Sequence, residues 1–311
     1  MRARLVLAAV AVMVLTAPAA ARGASAAGPS RARVGGFYIG AGLMEAWGDG
    51  GFTISGVDAE LGRFTSVLEF PMDGTYFVLE AGIDEIGAGF GAHLRYGSSA
   101  TLDGTTIDTD FAWEITSSEF IKSFSSTEGE NVFLTLDVSY RLSERAGTRL
   151  DVFAGYHMQD ASFQVSDVNT VILNGAPADF FNGGLAATYD LEFRGLRAGV
   201  RVEMALGASS FISGYAAVLP YVKAEGFGQW ILRHKGLDHD AVGWGLDLAV
   251  RYEHAISSSV RLWGGVGYTH LEGNDGTDRQ FLFGGEPIGT GWLDTIESEY
   301  GFVMIGGEFR F

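Results

Sequence analysis

Hydrophobic and polar positions alternate singly along much of this chain. In residues 242–253, Trp244, Leu246, Leu248, Val250 and Tyr252 share one face, with Gly245, Asp247, Ala249, Arg251 and Glu253 on the other. Residues 132–142 repeat the pattern, with Val132, Leu134, Leu136, Val138, Tyr140 and Leu142 against Phe133, Thr135, Asp137, Ser139 and Arg141. So do residues 149–158 and 196–206, and the last segment sets Val303, Ile305, Phe309 and Phe311 against Met304, Glu308 and Arg310. A period of two marks β-strands; a helix would repeat every 3.6 residues.

The polarity of the two faces narrows the fold. These segments run ten residues or more, and charges of both signs fill one face among glycines. Lipid outside and a polar lumen produce that combination in a transmembrane antiparallel up-and-down β-barrel. Closure satisfies every backbone N–H and C=O in hydrocarbon. Tyr96, Tyr140, Tyr156, Trp244 and Tyr252 near strand ends suit interfacial aromatic girdles. Four short connections, at 84–87, 143–148, 207–210 and 254–259, separate five polar excursions at about 44–64, 97–131, 160–188, 224–243 and 270–299. Read as periplasmic turns and long extracellular loops, they join about ten strands. A phase change near Arg194-Gly195-Leu196 predicts a bulge there.

The amino terminus changes the picture further. Arg2 and Arg4 precede the apolar run from Leu5 to Leu15, and Ala19-Ala20-Ala21 and Ala24-Ser25-Ala26 both fit small-x-small cleavage sites. This predicts a signal peptide over 1–21, with cleavage as late as 26, and a barrel domain over 27–311 in the bacterial outer membrane. There are 45 glycines, no cysteine and a net charge of −17 in 311 residues. Disulfides, thiolate metal sites and cysteine nucleophiles are thereby excluded, and so is general nucleic-acid binding. A lumen of about ten strands holds packed side chains, not an aqueous channel. His93, Arg95, Asp137, Arg141, Asp151, Arg201, Glu203, Asp247, Arg251, Glu308 and Arg310 are expected to pair into a polar plug.

Three local motifs resemble the omptin family of outer-membrane proteases. Ser66-Val67-Leu68-Glu69-Phe70 is similar to its S-x-L-x-W stretch, Thr106-Ile107-Asp108-Thr109-Asp110-Phe111 to its V-D-x-D-W stretch, and Gly155-Tyr156 with Ser162-Phe163 to its G-Y-(x)5-S-F run. The resemblance implies a ten-stranded barrel with a catalytic cleft at the extracellular rim. Asp108 and Asp110 match the family's acidic pair in type and spacing. At i and i+2 they project from one strand face about 7 Å apart, able to hold a water between them. The implied Asp-x-His partner falls at 226–231, which contains neither an acid nor a histidine. His234, Asp238, His239 and Asp240 follow closely, and His239 is the candidate base, oriented by Asp240 or an acid from another loop. The family's lipopolysaccharide-contacting positions fall on Met158 and Asp160.

Asn274-Asp275-Gly276-Thr277-Asp278 spaces oxygen ligands in the manner of a calcium loop but lacks the later bidentate Glu, and an Asx-rich turn explains it equally. No nucleophile elbow, phosphate loop or cofactor motif occurs. Two functions stay open. One is a non-catalytic surface-binding barrel on the omptin scaffold. The other is an endopeptidase using Asp108, Asp110 and His239 on basic peptides. Expected partners are outer-membrane lipid and lipopolysaccharide, and basic peptides at the rim, for a monomer without cofactor.

Overall fold

The structure is a computed structural model describing residues 36–58, 62–116 and 119–311; the expected signal segment lies outside them. Eleven antiparallel strands make up one sheet: β1 (Phe37–Asp58), β2 (Gly62–Pro71), β3 (Gly74–Gly87), β4 (Phe90–Ala112), β5 (Glu119–Arg145), β6 (Thr148–Leu173), β7 (Ala176–Ala205), β8 (Ser210–Trp230), β9 (Lys235–Ala255), β10 (Val260–Leu282) and β11 (Pro287–Arg310). Each pairs with its sequence neighbour from β4 onward, and β11 pairs with β1 from Tyr38↔Arg310 to Ser55↔Trp292, closing the sheet into a ring.

The strand count exceeds the expected ten because one run is broken. β2 and β3 lie end to end against β1 in continuous register, with Asp49 opposite Pro71 and Ala46 opposite Gly74. Between them Met72 N–H still donates to Gly48 O at 2.9 Å, but Gly48 N–H donates to the Asp73 carboxylate, also at 2.9 Å. A side chain thus takes the place of a backbone acceptor, and the ladder is interrupted without a change of face.

The expected long loops are corrected as well. The polar excursions are strand, and the connections at that end shrink to a few residues, such as Asn174-Gly175 between β6 and β7. Both residues have positive φ (54° and 74°), the two-residue hairpin geometry that Asn-Gly favours. Alternation continues through Thr and Ser beyond the apolar segments, so hydrophobicity alone underestimates the strands. The bulge moves too. β7 keeps one phase from Ala187 to Arg197, whereas the β7–β8 register shifts where Leu196 pairs with Tyr221 and Ala198 with Val218, leaving an excess residue on β8 beside Pro220. Proline has no N–H to donate to the ladder, so the extra residue collects there.

The two faces exchange polarity along the strands. In the halves nearer Phe37 and Arg310 the outer face is apolar and exposed, with Leu136, Val138, Tyr140, Tyr156, Leu196, Val200, Trp244, Tyr252, Ile305 and Phe309. Inside at that level is a polar plug. Arg251 contacts Glu80 (2.7 Å), Glu253 (3.0 Å) and Glu308 (3.5 Å), Arg149 contacts Asp151 (2.7 Å), and Arg197 contacts Asp247 (2.9 Å). Toward the far rim the outer face carries pairs such as Arg194–Glu192 (2.6 Å) and Lys223–Glu225 (2.7 Å). The interior there is apolar, packed with Phe52, Phe70, Phe163, Tyr189, Leu191, Phe193 and Ile296. Arg95 sits at the junction, its guanidinium 5.1 Å from the Phe133 ring centroid and 5.7 Å from that of Phe302. Gly97 and Gly267 lie under those two rings, where a Cβ would collide with them.

Removing Arg251 takes the arginine from Glu80 inside the ring, while Glu253 keeps Arg261 and Glu308 keeps Arg310. Arg251→Leu is expected to cost about 3–5 kcal/mol of stability. Arg279→Leu, which breaks an exposed pair with Asp238, should cost under about 1 kcal/mol. Thermal unfolding of the detergent-refolded variants by circular dichroism measures both.

Candidate functional site

Register brings two of the sequence motifs together at the far rim. β2 and β4 pair Ser66 with Asp110 and Leu68 with Asp108, and β5 presents Ile121 and Ser123 on their other side. Spacing of i and i+2 turns Asp108 and Asp110 to the same, inner face. Both line a cavity of about 50 Å³ with Phe52, Ile54, Ser66, Leu68, Trp230, Arg233, Lys235 and Leu237. The last four come from the β8–β9 hairpin. Trp230 ends β8, a single 3-10 turn spans Ile231–Arg233, and His234 turns left-handed at φ 51° before Lys235 opens β9. The guanidinium of Arg233 lies 5.9 Å from the Trp230 ring centroid.

Two carboxylates of like charge in a confined space cannot both ionise freely. Burial first, and Asp110 second, raise the pKa of Asp108 from the ordinary carboxylate value to about 7, against the opposing pull of Arg233. Burial likewise lowers that of Lys235, despite Asp278 and Asp110 nearby. These four charged groups are close enough to influence one another. Yet no hydrogen bond within 3.5 Å and no ion pair within 4.0 Å engages the side chains of Asp108, Asp110, Lys235 or Arg233 among the described residues.

His239 lies elsewhere. Its side chain points into the ring from β9, is 1% exposed, and is held at both nitrogens. The Tyr189 hydroxyl is 2.7 Å from Nδ1, and Asp278 Oδ1 is 3.1 Å from Nε2. With Nε2 protonated, a neutral ring donates to Asp278 and accepts from Tyr189, so both neighbours are satisfied. Phe52, which lines the acid-pair cavity, packs edge-on to the imidazole at 4.5 Å between centroids. Burial and Asp278 hold the pKa of Tyr189 well above its usual value. Tyr189 in turn stacks on Phe70, which stacks on Phe163, so the ends of two sequence motifs form the floor of this cluster.

The acid that orients His239 is therefore Asp278, from β10. Asp240 faces Lys223 at 3.6 Å, Asp238 pairs with Arg279 at 3.1 Å, and His234 is exposed at the hairpin tip against Phe283. The calcium-like stretch is a bulge. The β9–β10 register shifts between Asn274 and Thr277, Asp275 has φ 52°, and the shift returns Asp278 to the inner face. Arg233, Lys235, Trp230 and Tyr189 are not candidates in the sequence, and Asp278 enters there only as the last residue of the calcium-like stretch. For Arg233 and Lys235 a signal existed, since two basic residues within three positions are unusual in a chain of 21 Lys and Arg against 38 Asp and Glu.

No family model matches the sequence, and no curated protein does. Among solved structures, the outer-membrane protease OmpT of Escherichia coli superposes with a TM-score of 0.74 at 12% identity, over 89% of this chain and 97% of that one. This is the fold of an outer-membrane β-barrel. OprG of Pseudomonas aeruginosa matches with a TM-score of 0.40 at 9% identity, covering 89% and 96%, and a major outer-membrane protein of Thermus thermophilus with 0.36 at 15%, covering 88% and 99%. What the barrel shares with OmpT at this identity is the fold.

Two outcomes follow from the site. Because the folded-state pKa of Asp108 is raised, the unfolded chain loses this proton first, and stability falls as pH rises from about 4 to 7. Asp108→Asn should remove that loss, gaining on the order of 2 kcal/mol over the wild type at pH 8 and nothing at pH 3. Denaturant unfolding across pH measures it. His239→Ala leaves Asp278 and Tyr189 facing a cavity and should destabilise the barrel by about 2–4 kcal/mol at neutral pH.

Proposed function

We propose that this chain is a bacterial outer-membrane β-barrel that binds ligands at its extracellular rim without cleaving them. The fold and the exposed apolar belt support the membrane reading. A transmembrane β-strand needs about 9–11 residues, and the strands of 20 residues and more carry the rest of the ring above the belt. The paired lumen charges argue against a diffusion pore. On this reading the barrel is a monomer in outer-membrane lipid, with lipopolysaccharide as its surroundings and its rim as the contact surface.

One observation carries the non-catalytic reading: His239 has both ring nitrogens engaged, by Tyr189 and Asp278, beneath the cavity that Asp108 and Asp110 line. A general base has to reach the water it deprotonates within hydrogen-bond distance. The acid pair instead faces Trp230, Arg233 and Lys235. The alternative is an omptin-type endopeptidase acting on basic peptides through Asp108, Asp110 and His239. It draws support from the raised pKa of Asp108, since a carboxylate pair that keeps a proton near neutrality can also activate water.

The refolded barrel, supplied with lipopolysaccharide, is expected to leave fluorogenic peptides with basic and dibasic sites intact. Turnover abolished by both Asp110→Asn and His239→Ala, in variants that retain the wild-type β-sheet spectrum, would establish the peptidase instead.

A further inference from the structure

A second, larger cavity adjoins the acid-pair site. It measures about 250 Å³ and shares Leu68, Asp108, Trp230 and Arg233 with the smaller one. Its walls are largely apolar, with Ile121, Val165, Val168, Leu173, Phe180 and Leu232 around it. A dry cavity of about 150 Å³ accommodates benzene, so this one has room for an aromatic side chain. Asp108 and Arg233 line both cavities, and Asp110 and Lys235 line the smaller one beside them; none of the four side chains has an ion-pair partner within 4.0 Å among the described residues.

That combination selects a ligand chemistry. Charges that converge on a cavity without neutralising each other lose solvation and gain nothing until a ligand supplies the opposite charges. An anion alone meets Asp108 and Asp110, and a cation alone meets Arg233 and Lys235. A molecule carrying both satisfies both walls. Asp108 and Asp110, on one strand face, offer carboxylate oxygens to an ammonium. The forked guanidinium of Arg233 suits a carboxylate, and Lys235 adds a second donor.

We propose that the rim binds a small zwitterion with an aromatic or comparably large apolar side chain: the ammonium between Asp108 and Asp110, the carboxylate on Arg233 and Lys235, and the side chain in the larger cavity. This assignment rests on the non-catalytic reading and specifies its ligand. Free amino acids and short peptides both offer the chemistry.

Isothermal titration calorimetry on the full refolded barrel tests it, with L-phenylalanine and L-phenylalanyl-glycine as the two sources. At least one is expected to bind; the tighter of the two identifies the source. If phenylalanine is the tighter, N-acetylphenylalanine and phenylalaninamide, each lacking one charge, should bind about tenfold or more weakly, since a charged hydrogen bond contributes that much. For the dipeptide, its N-acetylated and C-amidated forms serve the same purpose. Arg233→Gln, at an exposed turn position, should reduce the preference for the free carboxylate, Lys235 remaining, while leaving the preference for the free ammonium. Asp110→Asn should do the reverse. Absence of binding by a barrel with an intact β-sheet spectrum overturns the proposal, and so does equal binding of the charged and blocked compounds. Mass spectrometry of the dipeptide after incubation separates the two readings. Hydrolysis would defeat the non-catalytic function, whereas an intact dipeptide that does not bind, with phenylalanine also silent, defeats only the ligand assignment.

Discussion

Closure of the sheet between β1 and β11 is the constraint on which the rest depends. A ring without edges pairs its backbone from strand to strand, so its strands can cross hydrocarbon and continue beyond it. It also encloses an interior of fixed width that side chains have to fill. The filling differs with height because the surroundings do. Where the outer face is apolar, charges are confined to the inside and neutralise one another there, as Arg251 does with Glu80, Glu253 and Glu308. Where the outer face is charged, the interior is free to pack aromatic rings.

The rim site is a product of that second regime. Above the aromatic layer of Phe70, Phe163 and Tyr189, the ring is still closed by strands, and short hairpins bring side chains back over its opening. The β8–β9 hairpin places Arg233 and Lys235 opposite the acid pair through a three-residue turn and one left-handed residue. His239 lies four positions beyond Lys235 on the same strand, and the even spacing gives both the inner face. Four residues of a strand rise roughly 13 Å, enough to carry the imidazole from the rim into the packed interior. There it serves the hydrogen-bond network with Tyr189 and Asp278. The likeness to OmpT extends over 97% of that chain, yet the residues at this rim determine the chemistry, and here they combine two acids with two bases.

How much of this was legible varied by residue. Alternation identified the inward positions of Asp137, Asp151, Asp247, Arg251 and Glu308, and all of them are interior. Asp108 and Asp110 shared a face for the same reason. Strand ends are less legible, because outside the apolar belt the two faces exchange polarity and Thr and Ser carry part of the alternation; the Asn174-Gly175 turn marks one such end. The bulge lies one strand over from its expected place: between outward Arg194 and outward Leu196 the outer face of β7 turns from charged to apolar, which imitates a phase change, and the extra residue sits on β8 beside Pro220.

By itself the sequence determined the strand class, the face of each side chain within the apolar segments and the acidic pair, since all three follow from a local period of two and from residue type. Tertiary structure alone decided which strands' residues meet. Asp278 reaches His239 only because β9 and β10 pair in one register around a bulge, and Arg233 faces Asp108 only because the ring closes with β8, β9 and β4 around a common interior. Register and closure are long-range hydrogen-bonding choices, made by the whole sheet at once, and no window along the chain contains them.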